Sequence, residues 1–259
     1  HDTKEDQSRK DTDAKQTRRS EFDQFNLRFP EENRESLIVD LPKYTFKNRG
    51  QAKTKESQMS ETRKEYLNAL EEICNSYGNV LIAMPKYAEA KWAYQALQQR
   101  TDKQTFLDES TSNEETNQLL DAFFDDNEYG VIFTSTRGTI TEGVDYDGSK
   151  LHCCAVVGIP LIDTRSKRVE SIKHAYAKKV PERDGFETAI KIPAVRKARQ
   201  ALGRVIRGEN EVGVRIFIDE RYGSTDWDGA KEYLSEAEQK EFDVIDSEEL
   251  GPRLTTFWK

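Results

Sequence analysis

The chain has 259 residues, of which 35% are hydrophobic and 34% charged, and its formal net charge at pH 7 is −8. This length fits one large α/β domain or two small ones. The acidic balance argues against a protein that binds nucleic acid over its whole surface, although local basic patches stay compatible with it because salt screens distant charges. No apolar run is long enough for a membrane span or a signal peptide, so we expect an intracellular protein, cytoplasmic or nucleoid-associated, without a membrane partner.

The cysteines and histidines exclude several kinds of site. Cys74, Cys153 and Cys154 are too few for a disulfide framework or a four-thiolate site. Cys153 and Cys154 are neighbours in an apolar run, so they should point to opposite faces of a strand as buried thiols. The chain has three histidines, His1, His152 and His174, so a histidine triad or a zinc site is improbable. No metal-ligand set is assigned.

The chain is predicted to form one domain over residues 21–259. Residues 1–20 contain almost nothing apolar and are predicted to be a disordered leader or linker. Short apolar runs predict strands at 36–42, 79–85, 104–108, 130–136, 151–160 and 212–222. Helical spacing predicts helices at 60–77 (with Ser60 as N-cap), 91–99, 114–124, 165–180, 193–207 and 228–241. Phe257 and Trp258 are expected to dock an otherwise loose C-terminal tail.

Alternating strands and helices predict an α/β fold with a mostly parallel central sheet and helices on both faces. In such sheets ligands bind beyond the carboxyl ends of the strands. Lys86 and Tyr87 follow one strand and could hold a phosphate and stack a base. The loop 137–148, RGTITEGVDYDG, follows another and is suited to amides and hydroxyls that meet phosphates. Ordinary polar loops are the alternative in both places.

The helix predicted at 193–207 has an apolar face, and its opposite face gathers Arg196, Gln200, Gly203, Arg204 and Arg207. A glycine in mid-helix costs about 1 kcal/mol relative to alanine, which suggests that something approaches the backbone there. Two arginines at i and i+3 also present planar donors suited to phosphate oxygens. The alternative is an amphipathic helix with a solvated cationic face.

The sequence contains no G-x-x-x-x-G-K-[ST] phosphate loop and no acidic pair of the Walker B kind. If the loop and the arginines handle a nucleotide, another domain must therefore hold most of it.

Taken in order, these segments resemble the second RecA-like motor domain of superfamily 2 helicases of the XPD/DinG type. The similarity extends over nearly all of 21–259, and its strength lies in the order and spacing of five segments. They are FPEENR (29–34), GNVLIAMPKY (78–87, similar to motif IV), FTSTRGTITEGVDYDG (133–148, motif V), GIP (158–160) and QALGRVIRGENEVGVRIFIDERY (200–222, motif VI). The resemblance implies a three-layer RecA-like domain.

The resemblance also implies roles for individual residues. Arg204 and Arg207 would reach the ATP γ-phosphate as finger and sensor, and Gln200 would couple the nucleotide to the interface. The same cleft would be lined by Glu142, Gly143 and Asp145, with Gly203 leaving room for the partner surface. The nucleic-acid side would comprise Lys86, Tyr87, Arg137, Thr139 and Thr141. Lys86 stands where the family commonly has serine and Thr139 where it often has lysine, so the nucleic-acid contacts are less closely matched than the ATP cleft.

In this family ATP and Mg²⁺ are bound between two motor domains, and the Walker segments belong to the first. The chain is therefore predicted to be half of an ATP-dependent DNA helicase acting in repair or replication, inactive without the first motor domain. Single-stranded or forked DNA is the expected substrate. The family's four-cysteine iron–sulfur site also belongs to the first domain, which leaves room for a cluster in a longer parent protein and places none in this chain. The alternative is a non-catalytic module that keeps the motor fold to bind nucleic acid or protein.

Overall fold

A computed structural model describes residues 30–109, 112–125, 128–142, 150–164, 166–179, 181 and 184–259. The predicted leader (1–20), the start of the domain at residue 21, Gly143, Asp145 and the side chain of Glu142 lie outside what is described.

The centre of the described fold is a seven-stranded sheet in which every pairing is parallel. Its strands are β1 (Arg34–Val39), β2 (Val80–Met84), β3 (Gln104–Leu107), β4 (Gly130–Ser135), β5 (Cys153–Val157), β6 (Gly213–Ile218) and β7 (Asp243–Ile245). Their order across the sheet is β3-β4-β2-β5-β6-β1-β7. The predicted parallel sheet is confirmed, and each of the six predicted strands is present.

Helices cover both faces of this sheet. Those of the described residues are α1 (Phe46–Arg49), α2 (Glu61–Cys74), α3 (Tyr87–Leu97), α4 (Asn113–Phe123), α5 (Thr139–Glu142), α6 (Lys167–Lys179), α7 (Ile192–Leu202), α8 (Glu236–Glu241) and α9 (Leu250–Phe257). A π-helical turn, Glu187–Lys191, leads into α7. Helices α2, α3 and α9 pack on one face, and α4 and α7 pack on the other. The result is the predicted three-layer arrangement.

Side chains of the central strands alternate between two buried clusters, as the pleat of a strand requires. In β5, Cys153 joins the cluster under α2 and α3, whereas Cys154 joins the cluster under α7. Burial raises the pKa of the Cys153 thiol to about 12, so this thiol stays protonated at neutral pH. The prediction of buried thiols on opposite faces is confirmed.

Two predictions for the C-terminal part were wrong. The range 228–241 is not one helix, because a Ser235–Glu238 capping box starts a new helix at Glu236. The three-residue strand β7 follows it and had no sequence signal, since Asp243 and Val244 are exposed. The chain end is a helix, α9, rather than a loose tail, although Phe257 and Trp258 do pack against the core as expected.

A buried charge network holds α2 to α3. Arg63 on α2 is fully buried and places Nη2 3.0 Å from Oε2 of Glu89 on α3. Glu89 also accepts a hydrogen bond from the Tyr44 hydroxyl at 2.7 Å and pairs with Arg49 at 2.6 Å. The guanidinium of Arg63 lies 4.3 Å from the ring of Trp92. Glu89 is therefore the carboxylate that balances two arginines at the carboxyl-end side of the sheet.

We expect Glu89→Ala to lower the free energy of unfolding by about 3–5 kcal/mol, because it leaves the buried Arg63 charge without its partner. The measurement is urea unfolding of the 259-residue chain. Glu109→Ala, which breaks the exposed pair with Lys91, is the matched control and should cost far less. Equal losses in the two variants would contradict a central role for the buried carboxylate.

Candidate functional site

The strand order brings two of the predicted loops together. Because β2 and β4 are parallel neighbours with Met84 opposite Ser135, the residues that follow them share one edge of the sheet. Lys86 precedes α3, and Tyr87 is its first residue with 44% of its surface exposed. Arg137 follows β4 at the same edge and is exposed. A phosphate and a base could therefore meet a cation and an aromatic ring within one region.

The loop after β4 fits tightly under Tyr87. A Cβ added at Gly138 would lie 2.6 Å from Thr134 Oγ1, 2.9 Å from Asp108 Oδ2 and 3.0 Å from the Tyr87 hydroxyl. Thr134 donates a hydrogen bond of 2.7 Å to the buried carboxylate of Asp108. Glycine at 138 is therefore required by this close approach, which packs the motif V loop against motif IV.

Asp108 and Thr134 had not been identified as part of this region. Asp108 is the first residue after β3, and Leu107 pairs with Phe133 in β4, which sets the two side chains beside each other. In the sequence, the only sign of this pair is that Asp108 is a polar residue at the end of a strand. Recognising the pair requires the order of the strands, which the sequence does not give.

The remaining predicted nucleic-acid residues of the loop differ in exposure. Arg137 donates a hydrogen bond of 2.9 Å from Nη2 to the carbonyl of Pro160. Thr139 is exposed at the start of α5. Thr141 is buried, and its hydroxyl donates to the carbonyl of Gly138 at 2.8 Å. Thr141 therefore supports the loop from inside, and contact of its hydroxyl with nucleic acid stays a prediction.

Helix α7 ends earlier than predicted. The structure gives its last residue as Leu202 with Gly203 as C-cap, so the prediction of a helix through 207 was wrong. It also begins at Ile192, directly after the π-helical turn, rather than at Pro193. After Gly203 the chain turns, with the amides of Arg204 and Val205 donating to the carbonyls of Ala201 and Leu202, and the Glu211 carboxylate then accepts hydrogen bonds from the amides of Arg207 and Gly208. This turn, and not a helical i,i+3 spacing, positions Arg207.

The predicted motif VI residues do come together in one groove of about 460 Å³, lined by Lys197, Gln200, Gly203, Arg204 and Arg207. Among the described residues the lining contains three cations and no carboxylate, a donor set that fits phosphate oxygens. Lys197 had not been singled out, although it precedes Gln200 by one helical turn. The groove is open, so a nucleotide here would need a second wall supplied by another domain.

One hydrogen bond connects this groove to the loop after β4. Arg204 donates from Nε to the carbonyl oxygen of Thr141 at 3.2 Å. Thr141 lies in α5, which ends at Glu142, and Gly143 and Asp145 follow outside the described residues. Motifs V and VI are therefore in contact, and the roles of Glu142, Gly143 and Asp145 stay predictions.

The groove and the exposed loop lie on different sides of the domain. The C-terminal end of α7 lies over the amino half of β5, where the Cys154 thiol is 3.6 Å from the carbonyl oxygen of Ala201. Lys86, Tyr87 and Arg137 follow the carboxyl ends of their strands. The carboxyl ends of the strands, where ligands were expected, therefore carry only the surface with Lys86, Tyr87 and Arg137. The short helix α5 lies between this surface and the groove.

Gly203 has no structural need to be glycine within the described chain. A Cβ there would approach only the carbonyl oxygens of Arg199 at 3.3 Å and Gln200 at 3.7 Å. The mid-helix argument for Gly203 was wrong, because this residue ends the helix. Its use toward a partner surface stays a prediction.

Two kinds of feature are absent from the described residues. No group of three or more histidine, cysteine, aspartate or glutamate side chains is arranged to hold a metal ion in that part of the chain. Over the same residues, none of the helices combines the length and the apolar character that crossing a bilayer requires.

Comparison with known proteins agrees with this arrangement. A family model described as the helicase C-terminal domain matches residues 70–239. The general transcription and DNA repair factor IIH helicase subunit XPD of Dictyostelium discoideum is 37% identical over 100 residues, which are 37% of this chain and 12% of that protein. The same subunit of Schizosaccharomyces pombe is 36% identical over 100 residues, with the same coverage of 37% and 12%. The match thus spans about an eighth of these relatives.

Solved structures support the fold. An XPD helicase superposes with a TM-score of 0.58 over 83% of this chain and 35% of that chain, at 20% identity. Xpd4 of S. tokodaii superposes with a TM-score of 0.53 over 82% of this chain and 38% of that chain, at 16% identity. The RecA-like fold and the resemblance to XPD-type helicases are confirmed.

We expect Gly138→Ala to lower the free energy of unfolding by about 1–3 kcal/mol, because the added methyl group overlaps three polar side-chain atoms. Gly203→Ala is the matched control. Its backbone φ of −66° suits alanine, and the change should be neutral or slightly stabilising. Urea unfolding of both variants measures the difference, and similar stability of the two would contradict the tight packing under Tyr87.

Proposed function

The chain belongs to the helicase C-terminal domain family, and we propose that it is the second motor domain of an ATP-dependent DNA helicase. It supplies the arginine finger and the strand contacts for translocation and unwinding in DNA repair or replication. The observation that carries the proposal is the groove lined by Gln200, Arg204 and Arg207, joined to the motif V loop through the bond from Arg204 to Thr141.

The groove residues act on a nucleotide held mainly by a first motor domain with its Mg²⁺. Arg204 and Arg207 stabilise the negative charge that develops on the γ-phosphate, and Gln200 senses the closed cleft. An arginine supplied in this way is worth about 10³–10⁵ in rate. The three cations and open form of the groove support this role. The 259 residues by themselves hydrolyse no ATP, because they contain no phosphate loop.

The contact between motifs V and VI transmits the state of the cleft to the nucleic-acid side. Closure of the two motor domains around ATP moves Arg204, and its hydrogen bond carries α5 with it. The Thr141 hydroxyl in turn holds the carbonyl of Gly138, which packs against Tyr87. Hinge closure of two rigid domains thus becomes a displacement of the surface that grips single-stranded or forked DNA.

We expect Arg207→Ala to lower the ATP hydrolysis rate of the two-domain motor by about 10³-fold or more, because it removes a donor to the transferred phosphoryl group. The measurement is DNA-stimulated phosphate release by this chain joined to its first motor domain. Arg196→Ala is the matched control, since this exposed arginine lies on the same helix outside the groove. Its rate should stay close to that of the unchanged motor.

Two results would contradict the proposal. Robust ATP turnover by the 259-residue chain alone would exclude a shared active site. A two-domain protein that binds DNA and never gains ATP hydrolysis would favour the non-catalytic module instead. Circular dichroism of the Arg207→Ala variant excludes misfolding as the cause of lost activity.

We expect Tyr87→Leu to weaken binding of single-stranded DNA by about 1–3 kcal/mol, the usual contribution of one stacked base. Tyr77→Leu is the matched control, because Tyr77 has 49% of its surface exposed but precedes β2 at the opposite edge of the sheet. Fluorescence anisotropy with a labelled oligothymidylate measures both. A loss that is as large for Tyr77→Leu would contradict a nucleic-acid surface at the carboxyl edge.

A further inference from the structure

Helix α6 concentrates positive charge in an acidic chain. Its sequence, KRVESIKHAYAKK, contains five lysine and arginine residues and one glutamate. The whole chain carries a net charge of −8. No residue of α6 was assigned a role in the sequence analysis, and α6 lies outside both surfaces described above.

The cations of α6 lie mainly on its outer face. Val169 is the one buried residue of this helix. A Cβ at Gly185 would lie 2.5 Å from the carbonyl oxygen of Lys173 and 3.4 Å from Cβ of Ala177, so this side of α6 packs against the chain that follows it. At 3.6 residues per turn the opposite face presents four exposed cations with small residues between them. The cations are Lys167, Arg168, Lys178 and Lys179, and the small residues are Ser171 and Ala175.

These four cations have no ion-pair partner among the described residues. Among the described residues the exposed Lys91 is paired with Glu109, whereas these four cations face solvent. Lys167 and Arg168 also stand at the amino end of a helix, where the helix dipole disfavours positive charge. Lys178 and Lys179 complement the helix dipole at the carboxyl end of α6, whereas the fold does not explain the positive charge at its amino end.

The position of α6 relates it to the nucleic-acid side. The helix packs with Glu187–Lys191, the π-helical turn that leads into the start of α7. Lys191 donates a hydrogen bond of 2.7 Å to the carbonyl of Trp227, beyond the carboxyl end of β6. The other end of α7 lies over the amino half of β5. Helix α6 therefore lies on the same side of the domain as Lys86 and Tyr87, at the carboxyl ends of the strands.

We propose that the outer face of α6 binds the phosphodiester backbone of single-stranded DNA, as an extension of the surface at Tyr87. This inference rests on the proposed function. The two cation pairs are eleven residues apart, or about 16 Å, a distance that covers several phosphates. Ser171 and Ala175 let the backbone approach the helix. The absence of a large apolar side chain between the cations makes this face unsuited to a lipid surface.

The salt dependence of DNA binding tests the inference. Each phosphate contact contributes about −0.7 to the slope of log K against log salt for a single strand. We expect Lys178→Gln/Lys179→Gln, and separately Lys167→Gln/Arg168→Gln, to reduce the magnitude of this slope by about 1 and to weaken binding about 5- to 10-fold at moderate salt. The 259-residue chain and a labelled 20-nucleotide oligothymidylate are titrated by anisotropy at several salt concentrations.

A charge-matched control separates a local contact from an effect of net charge. Lys64→Gln/Lys240→Gln removes the same charge from α2 and α8 and should leave the slope unchanged. An equal change in this control, or an unchanged slope in both α6 variants, would overturn the inference while leaving the proposed function intact. Failure of the unchanged chain to bind the oligonucleotide would contradict the nucleic-acid part of the proposed function itself.

An acidic protein surface is the competing occupant of α6. Because the chain is itself acidic, sedimentation velocity of the same variants shows whether α6 mediates self-association. Loss of association with unchanged DNA binding would overturn the inference in favour of a protein contact. Circular dichroism and thermal unfolding confirm that the exposed substitutions leave the fold unchanged.

Discussion

A parallel sheet that is buried on both faces is the constraint on which the rest of this domain depends. Its central strands are apolar on both sides, as in Val80–Met84 and Cys153–Val157, so polar chemistry has no place along them. Functional side chains must therefore stand beyond the strand ends or on the covering helices. Parallel pairing gathers the loops after β2 and β4 at one edge, which is why Tyr87 and Gly138 meet although they are 51 residues apart. The groove of α7 arises differently, at the end of a helix that lies over the amino half of β5.

The groove of α7 and the surface at Tyr87 lie on different sides of the domain. One can control the other only if a series of contacts joins them. The bond from Arg204 to the carbonyl of Thr141 is such a connection, because Thr141 also holds Gly138 through its hydroxyl. Each step is a direct hydrogen bond or a packing contact, and even a methyl group at position 138 would meet Thr134, Asp108 and Tyr87. In the proposed function a shift of Arg204 is passed on to the loop along these contacts. A side chain at position 138 would separate the loop from Tyr87 without touching the groove.

The sequence predicted the parts of this domain that depend on local pattern. Short apolar runs predicted six of the seven strands, and Ser60 predicted the start of α2, where its hydroxyl accepts a hydrogen bond from the amide of Arg63. The end of α7 was mispredicted because Val205 and Ile206 continue the apolar helical spacing and are buried, although the backbone has left the helix. The interaction that holds this turn, from the Glu211 carboxylate to two backbone amides, has no signature in periodicity. Asp108 and Thr134 were missed because only the strand order makes them neighbours.

The distribution of charge separates structural from functional cations in this chain. Arginines that serve the fold are buried or paired, as Arg63 is with Glu89 and Arg199 is with Glu238. Burial works to raise the pKa of Glu238, but the hydrogen bond from Arg199 helps to keep it below its usual range. The cations on the outer face of α6 instead face solvent without ion pairs among the described residues, and the described lining of the groove contains no carboxylate. A chain of net charge −8 could easily pair the cations of α6, so their exposure supports the proposed anionic partner outside the domain. In the proposed function the groove meets a compact phosphate group, and the side at the carboxyl ends of the strands meets an extended polyanion.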